Sequence, residues 1–192
     1  TLAKLCRELA LVLTGLGLDF ELILVDDGSE DGSYSQLKEL HKEDSRFKII
    51  RLKKNYGQQS AVLCGLRHAG GDYAVIMDDD LQHPPEEIAK LWAKIKEGYD
   101  LVYALPDPAA AKDKAYAQAY RRWGAFLRDL LFALMINKPR RLKVSSFRIL
   151  SKSLLREITK DKTSFVYISA IIFKRKVKAA NIFVNYAQRE YG

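Results

Sequence analysis

"YAVIMDDDLQHPPEEIAKLWAKIKEGYDLVYAL", residues 73 to 105, decides the fold. An apolar β-rich run, YAVIMD, leads through three adjacent carboxylates and a Pro-Pro pair into the helix-period segment PPEEIAKLWAKIKEG. A second apolar run, DLVYAL, follows. Strand, helix, strand is the unit of a parallel sheet, because the chain must cross back before the next parallel strand can begin. Pro84 or Pro85 suits the first turn of that helix, where a missing N–H is not needed, and Glu86 and Glu87 lie at its positive end.

The same rhythm runs toward the N-terminus. LAKLCRELALVL reads as helix, FELILV as strand, SYSQLKELHKE as helix, FKIIRL as strand and GQQSAVLCGLRHA as helix. Ser33 and Gln36 predict a capping box on the second of these helices. With 192 residues, 48% of them hydrophobic, the chain can bury one sizeable core, and its length favours one domain. The fold class is α/β, a largely parallel sheet flanked by helices.

After Leu105 the rhythm changes. A Pro and Ala-rich link, PDPAAAKDKA, leads into a long helical stretch with Tyr116, Tyr120, Trp123, Leu127, Leu130 and Leu134 along one face. Arg121, Arg122 and Arg128 flank that stripe. Two readings stand side by side: a helix packed on the sheet, or a helix lying in a membrane interface with arginines at the head groups.

Lys and Arg outnumber Asp and Glu by 32 to 24, and the excess gathers in KPRRLK (138 to 143) and KRKVK (174 to 178). Such clusters attract phosphates, but each taken alone reads as a solvated basic face. They lack a recognition motif and interleaved stacking aromatics, so no nucleic-acid partner is expected. GLGLDF precedes its strand and has no third glycine, which argues against a dinucleotide fold. No run reaches the roughly 18 to 20 apolar residues of a membrane span; GAFLRDLLFALMI is broken by Arg128 and Asp129. No signal peptide is visible either. Cys6 and Cys64 have no metal-type spacing, which fits a reducing compartment with both thiols buried.

Asp78, Asp79 and Asp80 raise the cost of ionising one another. They follow a strand, and open α/β sheets bind ligands beyond the carboxyl ends of their strands. In an extended segment residues i and i+2 face the same way, so Asp78 and Asp80 could share one Mg²⁺ or Mn²⁺ while Asp79 points elsewhere. A cation would offset the repulsion. The alternative is one helix-capping Asp and two solvated ones, which accounts for one carboxylate well and three poorly. A second acidic pair, Asp26 and Asp27, ends FELILV and opens the turn DDGSEDGS, so two acidic strand ends suggest one cleft.

ILVDDGSEDGS, followed by NYGQQSAVLCGLRHAGGDYAVIMDDDLQHPPEEI, resembles the inverting family 2 glycosyltransferases of GT-A fold. Within them it is similar to the polyprenyl-phosphate branch, which acts on dolichyl or undecaprenyl phosphate. SSFRIL (145 to 150) resembles that branch's acceptor-side Phe-Arg motif, and YAQREYG (186 to 192) the opening of its Arg-x-x-Gly loop.

The resemblance implies a GT-A, Rossmann-like sheet with a C-terminal acceptor-side subregion. It divides one domain into a nucleotide-sugar-binding part, 1–105, and an acceptor-side part, 106–192. It places Asp26 and Asp27 at the base and ribose, with Gly28, Asn55, Gly57 and Asp79 around the donor cleft. Asp78 and Asp80 resemble the ends of the DxD metal motif, with Gln82 beside the metal and diphosphate. Arg148 matches the arginine assigned to the acceptor phosphate, and Arg189 the one facing the donor diphosphate. Asp80, Arg148 and Arg189 are thus the implied catalytic residues.

The implied reaction is inverting transfer of a sugar from a nucleoside diphosphate, UDP by analogy, to a polyprenyl phosphate at the cytoplasmic face of a membrane. An acceptor phosphate is already anionic, so no general base is required. Glucose, a hexosamine and a modified arabinose all remain open as the sugar, and homo-oligomerisation remains open too. The rivals are transfer to a saccharide hydroxyl, which needs a carboxylate base, and a nucleotide-binding but inactive fragment. Family members begin with an apolar strand and continue beyond the loop into Ser-Lys and, in bacteria, transmembrane helices. The expectation is therefore a chain truncated at both ends, lacking that first strand and the anchor. YALPDPAAAKDKAYAQAYRRW also lacks the arginine-rich pattern common there.

Overall fold

Helix α1 (Leu2–Gly15) turns Leu5 and Leu9 toward one apolar cluster and Cys6 toward another. It therefore ties together two sheets. The computed structural model describes residues 2–108, 139, 141–161 and 167–187. Strands β1 (Leu22–Asp26) and β2 (Phe47–Arg51) pair in parallel around helix α2 (Ser33–Glu43), as their alternation with helix-period sequence predicts. Helix α3 (Gln58–His68) packs on β1 so closely that a Cβ at Gly65 would lie 3.3 Å from the Val25 side chain.

The second sheet has the order β3-β5-β4-β6, built from β3 (Tyr73–Ile76), β4 (Leu101–Pro106), β5 (Arg148–Ser151) and β6 (Ala179–Val184). Strand β4 pairs with β6 in parallel, and β5 runs antiparallel to both β3 and β4. The expected α/β architecture holds, with one reversed strand inserted between two parallel ones. Helix α4 (Ile88–Ile95), entered through the 3-10 turn Pro85–Glu87, covers one face with α1. Helices α5 (Lys152–Thr159) and α6 (Ile168–Phe173) cover the other with α3. Pro85 opens the 3-10 turn, as its fixed φ favours.

Leu101 to Leu105 of β4 are all buried, as expected of a central strand. Leu22 to Val25 of β1 are equally apolar yet only half-buried. Among the described residues β1 hydrogen-bonds only to β2, and β3 only to β5.

Two local expectations change. Ser33 is the first helical residue of α2, not its cap; Gly32 takes the cap with φ 84°, and the Asp31 carboxylate accepts the Ser33 N–H at 3.1 Å. An acceptor two residues upstream has satisfied that donor already. Cys6 is fully buried, which pushes its thiol up to about 11, but Cys64 is only half-buried on α3. In KRKVK, Lys174 and Arg175 pair with Asp161 and Glu157, and Lys178 lies 4.9 Å over the Tyr99 ring. Lys174, Lys176 and Lys178 are all exposed, so the cluster is a solvated basic face, as expected, with ion pairs along it. No described helix is long and apolar enough to cross a membrane. The amphipathic stretch from Tyr116 to Leu134, with Arg121, Arg122 and Arg128, lies outside the described residues, as does Arg189.

Candidate functional site

The first acidic turn is pressed against a second loop. Gly28 has φ 78°, and a Cβ there would stand 2.7 Å from the Lys54 carbonyl carbon and 2.9 Å from the Asn55 nitrogen. Only glycine fits such an approach. Asp27 locks the contact, accepting the Tyr56 and Gly57 N–H groups at 2.8 Å each, while Asn55 Oδ1 accepts Gly57 N–H at 3.0 Å. Gly57, at φ 86°, caps α3. Asp26 is 5% exposed: its Oδ1 accepts the Ser29 N–H at 3.0 Å, and its Oδ2 lies 3.2 Å from Arg51 Nε on the adjacent strand. The two carboxylates thus shape the loops that surround the cleft.

The second acidic turn leaves β3. Asp78 and Asp80 are half-buried and Asp79 is exposed. Asp78 is held on both oxygens, Oδ1 by Gln58 Nε2 at 2.9 Å and Oδ2 by the Ser146 hydroxyl at 2.6 Å. Asp80 Oδ1 accepts the Gln82 N–H at 3.1 Å, and the Gln82 carbonyl accepts the Ala187 N–H at 3.0 Å. Between them Leu81 has φ 59°, which turns its side chain into the core at 9% exposure. A bulky residue in that region costs roughly 1 to 3 kcal/mol, and it persists where neighbours over-determine it.

His83, 3% exposed, lies between the rings of Phe147 (4.8 Å) and Tyr186 (4.9 Å). Burial holds its pKa below the ordinary histidine value despite the opposing pull of Asp78 and Asp80. A neutral ring suits Nδ1 as acceptor of the Asp78 N–H at 3.4 Å. Burial likewise raises the Tyr186 phenol, which approaches Ser145 Oγ at 3.3 Å.

Among the described residues no group of three or more His, Cys, Asp or Glu could hold a metal ion. Asp78 and Asp80 supply hard carboxylate oxygens here. That donor set fits Mg²⁺ or Mn²⁺, which take one or two carboxylates and complete their shells with phosphate and water. A carboxylate oxygen that accepts one hydrogen bond keeps a second lone pair for a cation.

Arg148 is unusual in a different way. It is 4% exposed, lies directly across from Ile76 of β3 and Tyr103 of β4, and faces the apolar cluster around Leu101 and Leu150. Its Nη1 reaches the Ser145 carbonyl at 3.4 Å and Ser169 Oγ at 3.5 Å, both long, and its Nε is buried without a partner. Among the described residues no carboxylate pairs with it. The guanidinium stands 5.8 Å from the Tyr103 ring centroid, and the buried Tyr103 hydroxyl lies beside both Arg148 and Ser169.

The sequence points to Asp26, Asp27, Gly28, Asn55, Gly57, Asp78, Asp79, Asp80, Gln82 and Arg148. The structure ties the first five into the paired loops and gathers Asp78, Asp80 and Gln82 at the end of β3. It also brings in Gln58, His83, Ser146 and Tyr186, all inside or beside the quoted motifs, and Tyr103 and Ser169, which carried no signal.

Residues 1–159 match the family model "Glycosyl transferase family 2". The structure is similar to that of the mannosyltransferase PcManGT from Pyrobaculum calidifontis in complex with GDP-Man and Mn²⁺, with TM-score 0.57 and 17% identity over 88% of this chain. The chain covers 47% of that structure, about half its length. At this identity the likeness is one of fold, and it agrees with the GT-A arrangement.

Proposed function

The chain belongs to glycosyl transferase family 2, and from that membership we propose that it transfers a sugar from a nucleoside diphosphate to a polyprenyl phosphate with inversion. The observation that carries this reading is Arg148: a buried guanidinium with no carboxylate partner among the described residues and an unpartnered Nε. Leaving a charge unpaired in a protein interior is strongly destabilising, so such a group implies an anion in its working state. A phosphate monoester is such an anion; a saccharide hydroxyl is not.

In this reading Asp26 and Asp27 hold the loops around the base and ribose, and Asn55, Gly57 and Gln82 line the donor cleft. Asp78 and Asp80 would hold Mg²⁺ or Mn²⁺, which would stabilise the charge on the departing diphosphate as a Lewis acid. Gln58 and Ser146 fix the Asp78 carboxylate in orientation. Arg148 holds the acceptor phosphate, and Arg189 faces the donor diphosphate. An acceptor phosphate oxygen attacks the anomeric carbon, the bond to the diphosphate breaks, and the diphosphate leaves with the electron pair. One in-line displacement inverts the centre, and no carboxylate need act as base.

UDP is the proposed nucleotide; the fold neighbour's GDP-Man makes guanine the other base to test. The reading includes the division at residue 105 and a membrane-surface location at the cytoplasmic face. The test is transfer of radiolabelled sugar into an organic-extractable product. Arg148→Ala should abolish transfer to polyprenyl phosphate and leave donor affinity intact. Transfer to a sugar hydroxyl with no transfer to polyprenyl phosphate would replace this reading.

A further inference from the structure

His83 is 3% exposed and stands where three segments meet. Its ring lies 4.8 Å from that of Phe147, tilted by 30°, and 4.9 Å from that of Tyr186, edge to face. Its Nδ1 accepts the Asp78 N–H at 3.4 Å, which closes the turn from Asp78 to His83 on itself. That turn carries both Asp78 and Asp80 and the left-handed Leu81.

Each of the other two segments is tied to the same turn by a second bond. Ser146, the neighbour of Phe147, donates to Asp78 Oδ2 at 2.6 Å, and Ala187, the neighbour of Tyr186, donates its N–H to the Gln82 carbonyl at 3.0 Å. The Tyr186 phenol is held in turn, donating to the Ala104 carbonyl at 3.4 Å and meeting Ser145 Oγ at 3.3 Å. At 3.4 Å the Asp78 contact is long for a hydrogen bond. The ring packing therefore holds Nδ1 in place, rather than the bond holding the ring. A phenyl ring has nearly the shape needed to fill this slot, but it would leave the Asp78 N–H without this acceptor. What the imidazole adds to the packing is one lone pair, aimed at the main chain of Asp78.

We propose that His83 is a positioning residue for the metal site: its Nδ1, clamped by Phe147 and Tyr186, fixes the main chain of Asp78 and with it the direction of that carboxylate toward a cation. This rests on the reading of Asp78 and Asp80 as ligands of Mg²⁺ or Mn²⁺, and adds a residue that acts through Asp78 rather than on the metal. Metal ligands depend on such outer contacts for their orientation. The ring has to be the neutral tautomer with its proton on Nε2, since only a bare Nδ1 accepts.

Three variants separate the lone pair from the packing. His83→Phe keeps a ring and removes the acceptor. His83→Asn loses the ring and keeps an acceptor, its Oδ1, at the Nδ1 position, whereas His83→Gln carries its oxygen one bond further out. Each 192-residue chain is titrated by calorimetry with UDP, in Mn²⁺ and in chelator, and its thermal midpoint is measured. The enhancement of UDP affinity by Mn²⁺ should fall about tenfold or more in His83→Phe, as for other lost outer-shell contacts, and fall likewise in His83→Gln. His83→Asn should largely keep the enhancement, although its lost ring should lower its melting temperature. A role in packing alone predicts the reverse order, with His83→Phe closest to the unmodified chain; that result overturns this inference and leaves the metal reading intact. Equal UDP affinity of the unmodified chain in Mn²⁺ and in chelator overturns both. Should His83→Asn not fold, the ring itself decides: a long-range proton–nitrogen spectrum of the unmodified chain should show Nε2 protonated and Nδ1 bare, and the Asp78 amide should exchange with solvent faster in His83→Phe. A proton on Nδ1, or unchanged exchange, refutes the positioning role.

Discussion

The Ser146 hydroxyl donates to Asp78 Oδ2 at 2.6 Å, so the segment that leads into Arg148 also grips the first carboxylate of the acidic triplet. Two residues later, on β5, Arg148 turns to the opposite function, facing Tyr103 and Ser169. One short stretch thereby joins the proposed donor and acceptor ends of the reaction.

Ser146→Ala removes one of the two groups that orient Asp78. Loss of an outer-shell partner commonly weakens metal affinity about tenfold or more, so UDP binding in Mn²⁺ should weaken accordingly. Asp80→Ala should remove the metal dependence of UDP binding altogether. Calorimetry with Mn²⁺ and with chelator measures both, and equal UDP affinity of the unmodified chain under the two conditions would sink the metal assignment.

Gly28→Ala should destabilise the chain and impair nucleotide binding together. The residue has φ 78°, and the new Cβ would meet the Lys54 backbone at 2.7 Å. The left-handed conformation alone costs about 1 to 2 kcal/mol for a residue with a side chain, and the clash adds to that. A urea unfolding midpoint equal to that of the unmodified chain would show that the two loops are less tightly pressed than described.

Arg148→Met should raise stability while removing phosphate binding. Replacing a buried charge by an apolar side chain of similar length is often neutral or stabilising by about 1 to 4 kcal/mol. Urea denaturation without phosphate present measures the gain. A marked loss of stability would mean that Arg148 is structurally compensated, and that the argument from its unpaired charge is wrong.

The two cysteines should react very differently. Cys6 is fully buried with its thiol raised to about 11, whereas Cys64 is half-buried on α3. Since the thiolate is the reactive form, a disulfide reagent at pH 8 should label Cys64 first and Cys6 only on unfolding. Mass spectrometry of the labelled peptides decides it; early modification of Cys6 would contradict the packing of α1 against α2.

Sedimentation with anionic vesicles tests the membrane reading of the stretch from Tyr116 to Leu134. Replacing Arg121 and Arg122 together should weaken association, since each basic residue near such a surface contributes about 1 kcal/mol. Unchanged sedimentation would return that stretch to a sheet-packed role.

The sequence alone determined the α/β class and the order of helices and strands through Leu105. It also placed the acidic residues at strand ends. Period and turn chemistry are local properties, so Leu22 to Val25, Tyr73 to Ile76 and Leu101 to Leu105 announce their strands without reference to anything distant. The same locality explains the miss at Ser33, where the choice between two neighbouring acceptors, Asp31 and Ser33, turns on loop geometry.

Tertiary structure alone decided that Arg148 to Ser151 would enter the sheet antiparallel, between β3 and β4. Four residues with an arginine among them carry no clear period, and their pairing is with strands far away in sequence. That insertion sets Arg148 across from Tyr103 and beneath Ser169. Tyr103 reads locally as one more core residue of an apolar strand, and Ser169 as one small residue in an apolar helix. Their meaning comes from what they face, a buried guanidinium with no acid beside it among the described residues, and that follows only from how distant segments pack.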